Sequence, residues 1–371
     1  MNTGAAGPLA GIRVIEIAGI GPLPFATMLL ADMGAEVLRI ETPRPRELAI
    51  HQNDPVLRGR ATLTVDLKEP EGRDLLLELV GQADILLEAL RPGKMEALGL
   101  GPDDCLAIAP WLVFGRVTGW GQSGPLAQTA GHDPNYLGYT GALDWLGGAG
   151  RPAMPPLGLV GDTAAGSLYL VIGVLAALTH ARESGAGQVV DASILDGTLS
   201  LMSGLYSAMD SGLFTNAQWR GMMISGECPF TGIYETSDQR FMVVCPLEPR
   251  FYKDFLRVLG VAAETLPDRS DTEAWPTLRE HIAQRFRAHN REHWESAFAG
   301  TDACASPVLT LEEARAHPAN TARAAFVNGQ PAPSPRFTQT PSRQAPQSVS
   351  CDDLLQRWRT QPPSGGVSSK P

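Results

Sequence analysis

RVIEIAGIGPLPFATMLLADMGAEVLRI, residues 13–40, reads as strand, helix, strand. Residues 13–18 alternate β-branched and apolar side chains with only Glu16 between them, a strand signature. Pro22 suits the first position of a helix, and the apolar stretch 22–33 continues it. Gly34 fits the left-handed residue that closes a helix, and 36–40 begins a second strand. Two strands joined by a helical crossover make a parallel pair. Working outward, 62–67, 84–90 and 112–117 read as further strands and 71–79 as a helix. The expected class is therefore α/β, built on a mostly parallel sheet.

Beyond residue 119 the texture changes. Residues 119–161 form a long glycine-rich connection, the kind that in a compact protein usually carries function. An uncharged apolar helix follows at 163–179, interrupted by small residues and expected to be a core helix rather than a membrane span. Then come a strand at 188–191, a helix from Ser193, a strand at 241–245, and helices at 250–259, 273–287 and 291–298. The tail from Gln330 is proline-rich and expected to be extended. A chain of 371 residues implies two domains, here drawn as 1–190 with 325–371, and 191–324.

Composition excludes several classes. Thirty basic against forty acidic residues leave a net charge of −10, which argues against a nucleic-acid partner. Cys105, Cys228, Cys245, Cys304 and Cys351 are dispersed, odd in number and form no CxxC, so a zinc site or disulfide framework is not expected. No signal-peptide pattern opens the chain, and the expected location is the cytoplasm, away from membranes. Gly19-Ile20-Gly21 follows the first strand, but Pro24 stands where a dinucleotide fingerprint needs its third glycine. No phosphate-binding P-loop occurs, Gly121-Gln122-Ser123-Gly124 is not a nucleophile elbow, and His293-Trp294-Glu295 lacks the downstream PCxxC of a zinc deaminase.

Three groups remain that can carry chemistry. His132 lies in the glycine-flanked segment AGHDPNY, 130–136; Asp162 ends VGD, 160–162; Glu248 lies between a strand and a helix. Each has a structural alternative. His132 can be a turn histidine held by its neighbours, Asp162 a helix N-cap, and Glu248 a helix start. Spacing alone favours the structural role for the two acids.

The ordered set of motifs changes that balance. PLAGIRVIEIAGIGPLPFATMLLADMGAEVLRIETP (8–43), VDLKEPEG (65–72), LLEALRPG (86–93), GWGQSGP (119–125), AGHDPNYL (130–137), VGD (160–162) and SGAGQVVDA (184–192) occur in sequence. Together they are similar to the family III CoA-transferase fold, the CaiB/BaiF family, and AGHDPNY with the later Glu-Pro resembles its α-methylacyl-CoA racemase branch. The resemblance implies a Rossmann-like large domain, a smaller α/β domain and an interlocked homodimer. It also implies an acyl-CoA thioester as substrate, no metal and no separate cofactor. His132 and Asp162 fall on the acid/base pair of the racemases, and Glu248 on the glutamate that supports the histidine. Thr64, Val65, Asp66, Leu67, Leu90, Arg91, Gly131, Asp133, Asn135 and Tyr136 fall on positions that line the CoA site, with Arg58, Arg60 and Lys68 near enough in sequence to neutralise phosphates.

The implied reaction inverts the α-carbon of a 2-methylacyl-CoA by moving a proton off one face and onto the other. In the transferase branch the same aspartate is a nucleophile that forms an anhydride, and that branch generally lacks His132. A CoA-binding homologue without turnover is the third reading. Departures from the racemase pattern are Thr42 in place of the arginine of Asp-Arg-Pro, Gly158 in place of an asparagine, and the altered segment 224–231. Arg44 and Arg46 are the candidates to replace the missing arginine.

Overall fold

A computed structural model describes residues 7–43, 54–147, 153–156, 158–212 and 228–360. Arg44, Arg46 and residues 224–227 of the altered segment lie outside the described residues. The chain divides into two compact units. The first comprises Met1–Ala142, Pro155–Met202 and Ala324–Pro371; the second comprises Leu143–Met154 and Ser203–Arg323.

The first unit is built on six parallel strands: β1 (Arg13–Ile17), β2 (Glu36–Glu41), β3 (Arg60–Thr64), β4 (Ile85–Glu88), β5 (Val113–Thr118) and β6 (Gln188–Ser193). Their spatial order is β3-β2-β1-β4-β5-β6, so the expected α/β class with a parallel sheet is borne out. A boundary at 190 falls inside β6, whose Asp191, Ala192 and Ser193 pair with Arg116, Val117 and Thr118 of β5.

Both faces of the sheet are covered, which is why the strands do not alternate apolar with polar. One face, with Val14, Val37, Leu87 and Val113, packs on α1 (Pro22–Asp32) and on the helix Tyr169–Ser184. The other face, with Ile15, Leu38, Leu86 and Phe114, packs on α2 (Pro70–Val80), on a short α3 (Lys94–Ala97), on α4 (Pro102–Ile108) and on the C-terminal helix Cys351–Thr360. That last helix is tied to the first strands: Trp358 Nε1 and Arg357 Nε each lie 2.8 Å from Glu36, and Arg13 donates to the Trp358 carbonyl at 3.3 Å.

Charges inside the strands are paired across the sheet. Glu16 of β1 accepts from Arg39 of β2 and, at 2.6 Å, from Arg60 of β3. Glu88 of β4 accepts from Arg116 of β5 at 2.6 Å, and Arg116 reaches Glu96 at 2.6 Å. Burial pushes the Glu88 carboxyl upward, and the Leu90 N–H and then the Arg116 bond draw it back. Arg58 is likewise held by Asp32 at 2.6 Å. This corrects the expectation that Arg58 and Arg60 serve phosphates: both are buried against carboxylates, a place no anion reaches without breaking a pair. Lys68 is exposed.

The apolar helix begins earlier than 163. Residues Leu159–Leu168 wind as a π-helix that runs into the α-helix Tyr169–Ser184. Gly158 occupies the N-cap with φ 75, a left-handed conformation open to glycine. Asp162 is therefore not the cap; it sits within the first turn. Ser167 Oγ lies 2.6 Å from the Pro22 carbonyl and 2.9 Å from that of Asp162, five residues back, tying the wide turn to α1. The combined helix is long and apolar enough to cross a membrane by length and composition, yet Leu170, Val174, Ala177 and Leu178 are buried in the core.

The second unit holds an antiparallel sheet β7 (Gly232–Glu235), β8 (Phe241–Val244) and β9 (Ala305–Pro307), in that order. Three helices, Pro249–Leu259, Trp275–Arg287 and Arg291–Phe298, share a core with one face of it. Phe255, Phe286, Phe298 and Trp294 form its aromatic centre, with ring centroids 5.2–6.3 Å apart. The other face leaves Ile233 and Phe241 exposed.

Candidate active site

Strand order decides where a ligand fits. The chain leaves β1 toward β2 and leaves β4 toward β5, in opposite directions, so the loops after β1 and β4 diverge and open a crevice at the carboxyl ends of the strands. A cavity of about 290 Å³ lies there. Gly21 after β1, Leu90 and Arg91 after β4, and Trp120 after β5 line it, as do His132 and Asp162.

His132 is the N-cap residue of α5 (Asp133–Gly138). Its backbone N–H donates to Asn135 Oδ1 at 2.9 Å, and the Asn135 N–H returns to the His132 carbonyl at 2.8 Å. The backbone and the Asn135 amide close this turn; among the described residues the imidazole has no hydrogen-bond partner and lines the cavity. Tyr136, one turn on, is buried and stacks edge-on against Trp120 at 4.8 Å. Its hydroxyl donates to the Gly131 carbonyl, which fixes the loop that carries His132. Burial, then the Asp162 and Asp133 carboxylates, push the Tyr136 phenol up to about 12, so it remains protonated.

Asp162 meets His132 from the opening turn of the π-helix. Its backbone N–H donates to Asp133 Oδ2 at 2.7 Å. Gly161 permits that approach, because a Cβ there would stand 2.2 Å from Asp133 Oδ2. The Asp162 carboxyl itself makes no hydrogen bond to the described residues. Burial raises it first and the neighbouring Asp133 charge second, with His132 opposing, to about 6. A carboxyl at that value exchanges protons readily near neutrality, the property a general acid/base needs. His132 and Asp162 thus line one cavity, with a phenol and an indole beside them and one exposed cation, Arg91, on the same lining.

The other expected residues fall in different places. Leu90, Arg91, Gly131 and Tyr136 line the cavity. Asp133 and Asn135 lie behind it and spend oxygens on the backbone of Asp162 and His132. Thr64 ends β3 at the edge of the sheet; Val65 and Leu67 are buried in the core, and Asp66 accepts from the Lys68 N–H at 3.1 Å. Glu248 belongs to the second unit, at the N-cap position of the helix Pro249–Leu259, exposed and with no capping bond from its side chain. Sequence reading missed Ile20, Gly21, Trp120 and Ile194 as cavity walls. The signal available for them was position alone, since each follows the end of a parallel strand.

The profile of CoA-transferase family III matches residues 9–366. The chain belongs to this family. Its relatives include a mouse protein named alpha-methylacyl-CoA racemase, 40% identical over 329 residues, covering 88% of this chain and 85% of that protein. The human protein of the same name is 37% identical and spans 90% and 87% of the two chains. A succinyl-CoA–L-malate CoA-transferase alpha subunit from Chloroflexus aurantiacus is 32% identical over 75% of this family III chain. The fold is shared with a CaiB/BaiF family protein of Brucella suis, with a TM-score of 0.79, 23% identity, and coverage of 96% and 99%.

Proposed function

We propose that the protein inverts the α-carbon of a 2-methylacyl-CoA thioester, with His132 and Asp162 as the two bases. The observation that carries this reading is their meeting in one cavity, with the Asp162 carboxyl near 6. The whole-chain likeness to two proteins named alpha-methylacyl-CoA racemase supports the substrate class. One base, in its free form, takes the α-proton; the other, protonated, returns a proton to the opposite face. Between these steps the thioester oxygen carries negative charge and needs donors. Backbone N–H groups of the glycine-flanked loop or of the helix opening at Leu159 supply them in this scheme, other than those of His132, Asn135, Leu159 and Asp162, which are already bonded. Glu248 orients the imidazole through its other nitrogen. Arg91 balances a CoA phosphate, with Leu90, Gly131 and Tyr136 lining the same wall. No metal or separate cofactor enters the scheme.

An interlocked homodimer belongs to the same reading, because His132 lies in the first unit and Glu248 in the second. The uncapped, exposed Glu248 carboxylate then has a histidine to reach for. A cytoplasmic location is part of the proposal, supported by five dispersed cysteines without a disulfide pattern.

The test is α-proton exchange. A chirally pure 2-methylacyl-CoA is incubated in D₂O, and deuterium uptake and configuration are followed together. Uptake with inversion, abolished in His132→Ala, is expected. Transfer of CoA to an added carboxylate that survives His132→Ala but not Asp162→Ala would instead assign transferase chemistry. Light scattering on the purified protein reads the dimer, and a monomeric mass at working concentration overturns that part.

A further inference from the structure

The second unit carries two thiols that the proposed reaction does not use. β8 and β9 pair antiparallel, with Met242 opposite Pro307, Val243 opposite Ser306 and Val244 opposite Ala305. One more step in the same register sets Cys245 opposite Cys304. The backbone agrees: the Cys245 N–H donates to the Cys304 carbonyl at 2.8 Å. Residues opposed in a hydrogen-bonded antiparallel pair have Cα atoms about 5.5 Å apart. Disulfides span Cα separations of roughly 4.4–6.8 Å. The spacing expected at this register falls within that range.

Position and access agree as well. Burial alternates along β8, with Met242 and Val244 inside and Phe241, Val243 and Cys245 outside. Cys245 and Cys304 are both free and exposed. Cys304 has φ 50, and its Sγ lies 3.7 Å from the Asp302 carbonyl, so the thiol is held at the turn where β9 begins. The Cys304 thiol is raised by its partial burial, then by the charges of Glu248, Cys245 and Asp302, which places these groups around one another. They do not make a metal site: among the described residues no three His, Cys, Asp or Glu side chains are placed to hold an ion.

We propose that Cys245 and Cys304 are an oxidative modification site, closing to an intramolecular disulfide when the protein meets a peroxide. One thiolate attacks a peroxide oxygen; the O–O bond breaks, and a sulfenic acid and water (or an alcohol) result. The opposing thiol then attacks the sulfenic sulfur, the S–S bond forms, the S–O bond breaks, and a second water leaves. Two electrons pass from the sulfurs to the peroxide, and two thiol protons leave in the water. Either thiol can take the oxygen, and the opposing one resolves it. Glu248 follows Cys245 by three residues, and the Leu247 N–H is already bonded to the Cys245 carbonyl at 3.0 Å. The cross-link thus anchors the base of the loop that carries Glu248. Formation of the cross-link does not depend on the reaction proposed for the cavity.

The test uses the reduced full chain, titrated with hydrogen peroxide, alkylated and mapped by mass spectrometry without reduction. Expected are a loss of about two daltons, a peptide pair joining Cys245 to Cys304, and two fewer alkylated thiols while buried Cys105 stays reduced. Dithiothreitol reverses all three. Cys245→Ser and Cys304→Ser each abolish the linked pair, and Cys351→Ser leaves it intact. Sulfinic acids formed on either cysteine without the linked pair, or both thiols still alkylatable after treatment, would overturn the proposal.

Discussion

Asp162 holds its charge at a cost that the fold does not relieve. Its carboxyl is raised from 3.8 to about 6, burial first and Asp133 second. Between those values the native state keeps a proton that the unfolded chain has released, so stability falls as pH rises through the window and the loss is complete above it. Asp162→Asn removes the ionisable group. It is expected to raise Tm relative to the parent at pH 7, to leave Tm close to the parent at pH 4, and to abolish α-proton exchange. Calorimetry at the two pH values checks the sign; an equal Tm change at both would dissociate the gain from ionisation. Asp133→Asn isolates the second cause, because an amide oxygen still accepts the Asp162 N–H while the charge is gone. The Asp162 carboxyl is expected to titrate lower than in the parent, read by carboxyl-carbon NMR with the signal assigned by its loss in Asp162→Asn. In the direction of reaction that needs Asp162 ionised, kcat/KM falls below pH about 6 in the parent, and this limb moves down with the substitution. His132 and Asp162 were both visible in the sequence as motif residues. What was not visible is that Asp133 sits behind Asp162, since a contact across 29 residues leaves no local pattern.

Elements were legible where the backbone needs special residues. Pro22 and Gly34 mark the ends of α1 within a residue or two, and β1 and β2 fall where the apolar runs predicted them. The third strand was placed two residues late. Val65 and Leu67 look like strand residues because they are apolar, but they enter the core from the turn after β3. The charged strand residues carried the opposite message, as partners rather than breaks. Arg60→Ala leaves Glu16 paired with Arg39 alone and its Oε2 unpartnered, and is expected to cost about 1–3 kcal/mol in urea unfolding. The π-helix at Leu159 had no signature at all, because winding with a wider turn changes no residue type. Its consequence is Asp162 inside a turn instead of capping one. Gly161→Ala tests this packing: its Cβ meets Asp133 Oδ2 at 2.2 Å and must displace that carboxylate. A stability loss of about 1–3 kcal/mol, with a larger loss of exchange activity than of fold, is expected from calorimetry and the D₂O assay. Unchanged activity would place the Asp133 contact outside the catalytic geometry.

At the scale of the molecule, the location of the cavity follows from strand order, and strand order follows from which crossovers the chain makes first. The individual βα units could be read from composition, but the switch between β1 and β4 could not, since it depends on contacts that skip over β2 and β3. The first unit is also discontinuous: its sheet is begun by residue 13, and one of its faces is closed by a helix ending at residue 360. Trp358 and Arg357 reach back to Glu36, and Arg13 to Trp358, across more than 300 positions of chain. On the ribosome, where domains tend to fold in order of emergence, this arrangement imposes a delay. The nascent sheet leaves the exit tunnel with Leu38 and Ile40 beneath an unfinished roof, while the entire second unit is still being made and can fold as an insertion. Completion of the site-bearing unit thereby waits on synthesis of the helix Cys351–Thr360, and a chain cut short before residue 351 presents a bare apolar sheet face, a substrate for chaperones and proteases rather than a catalyst.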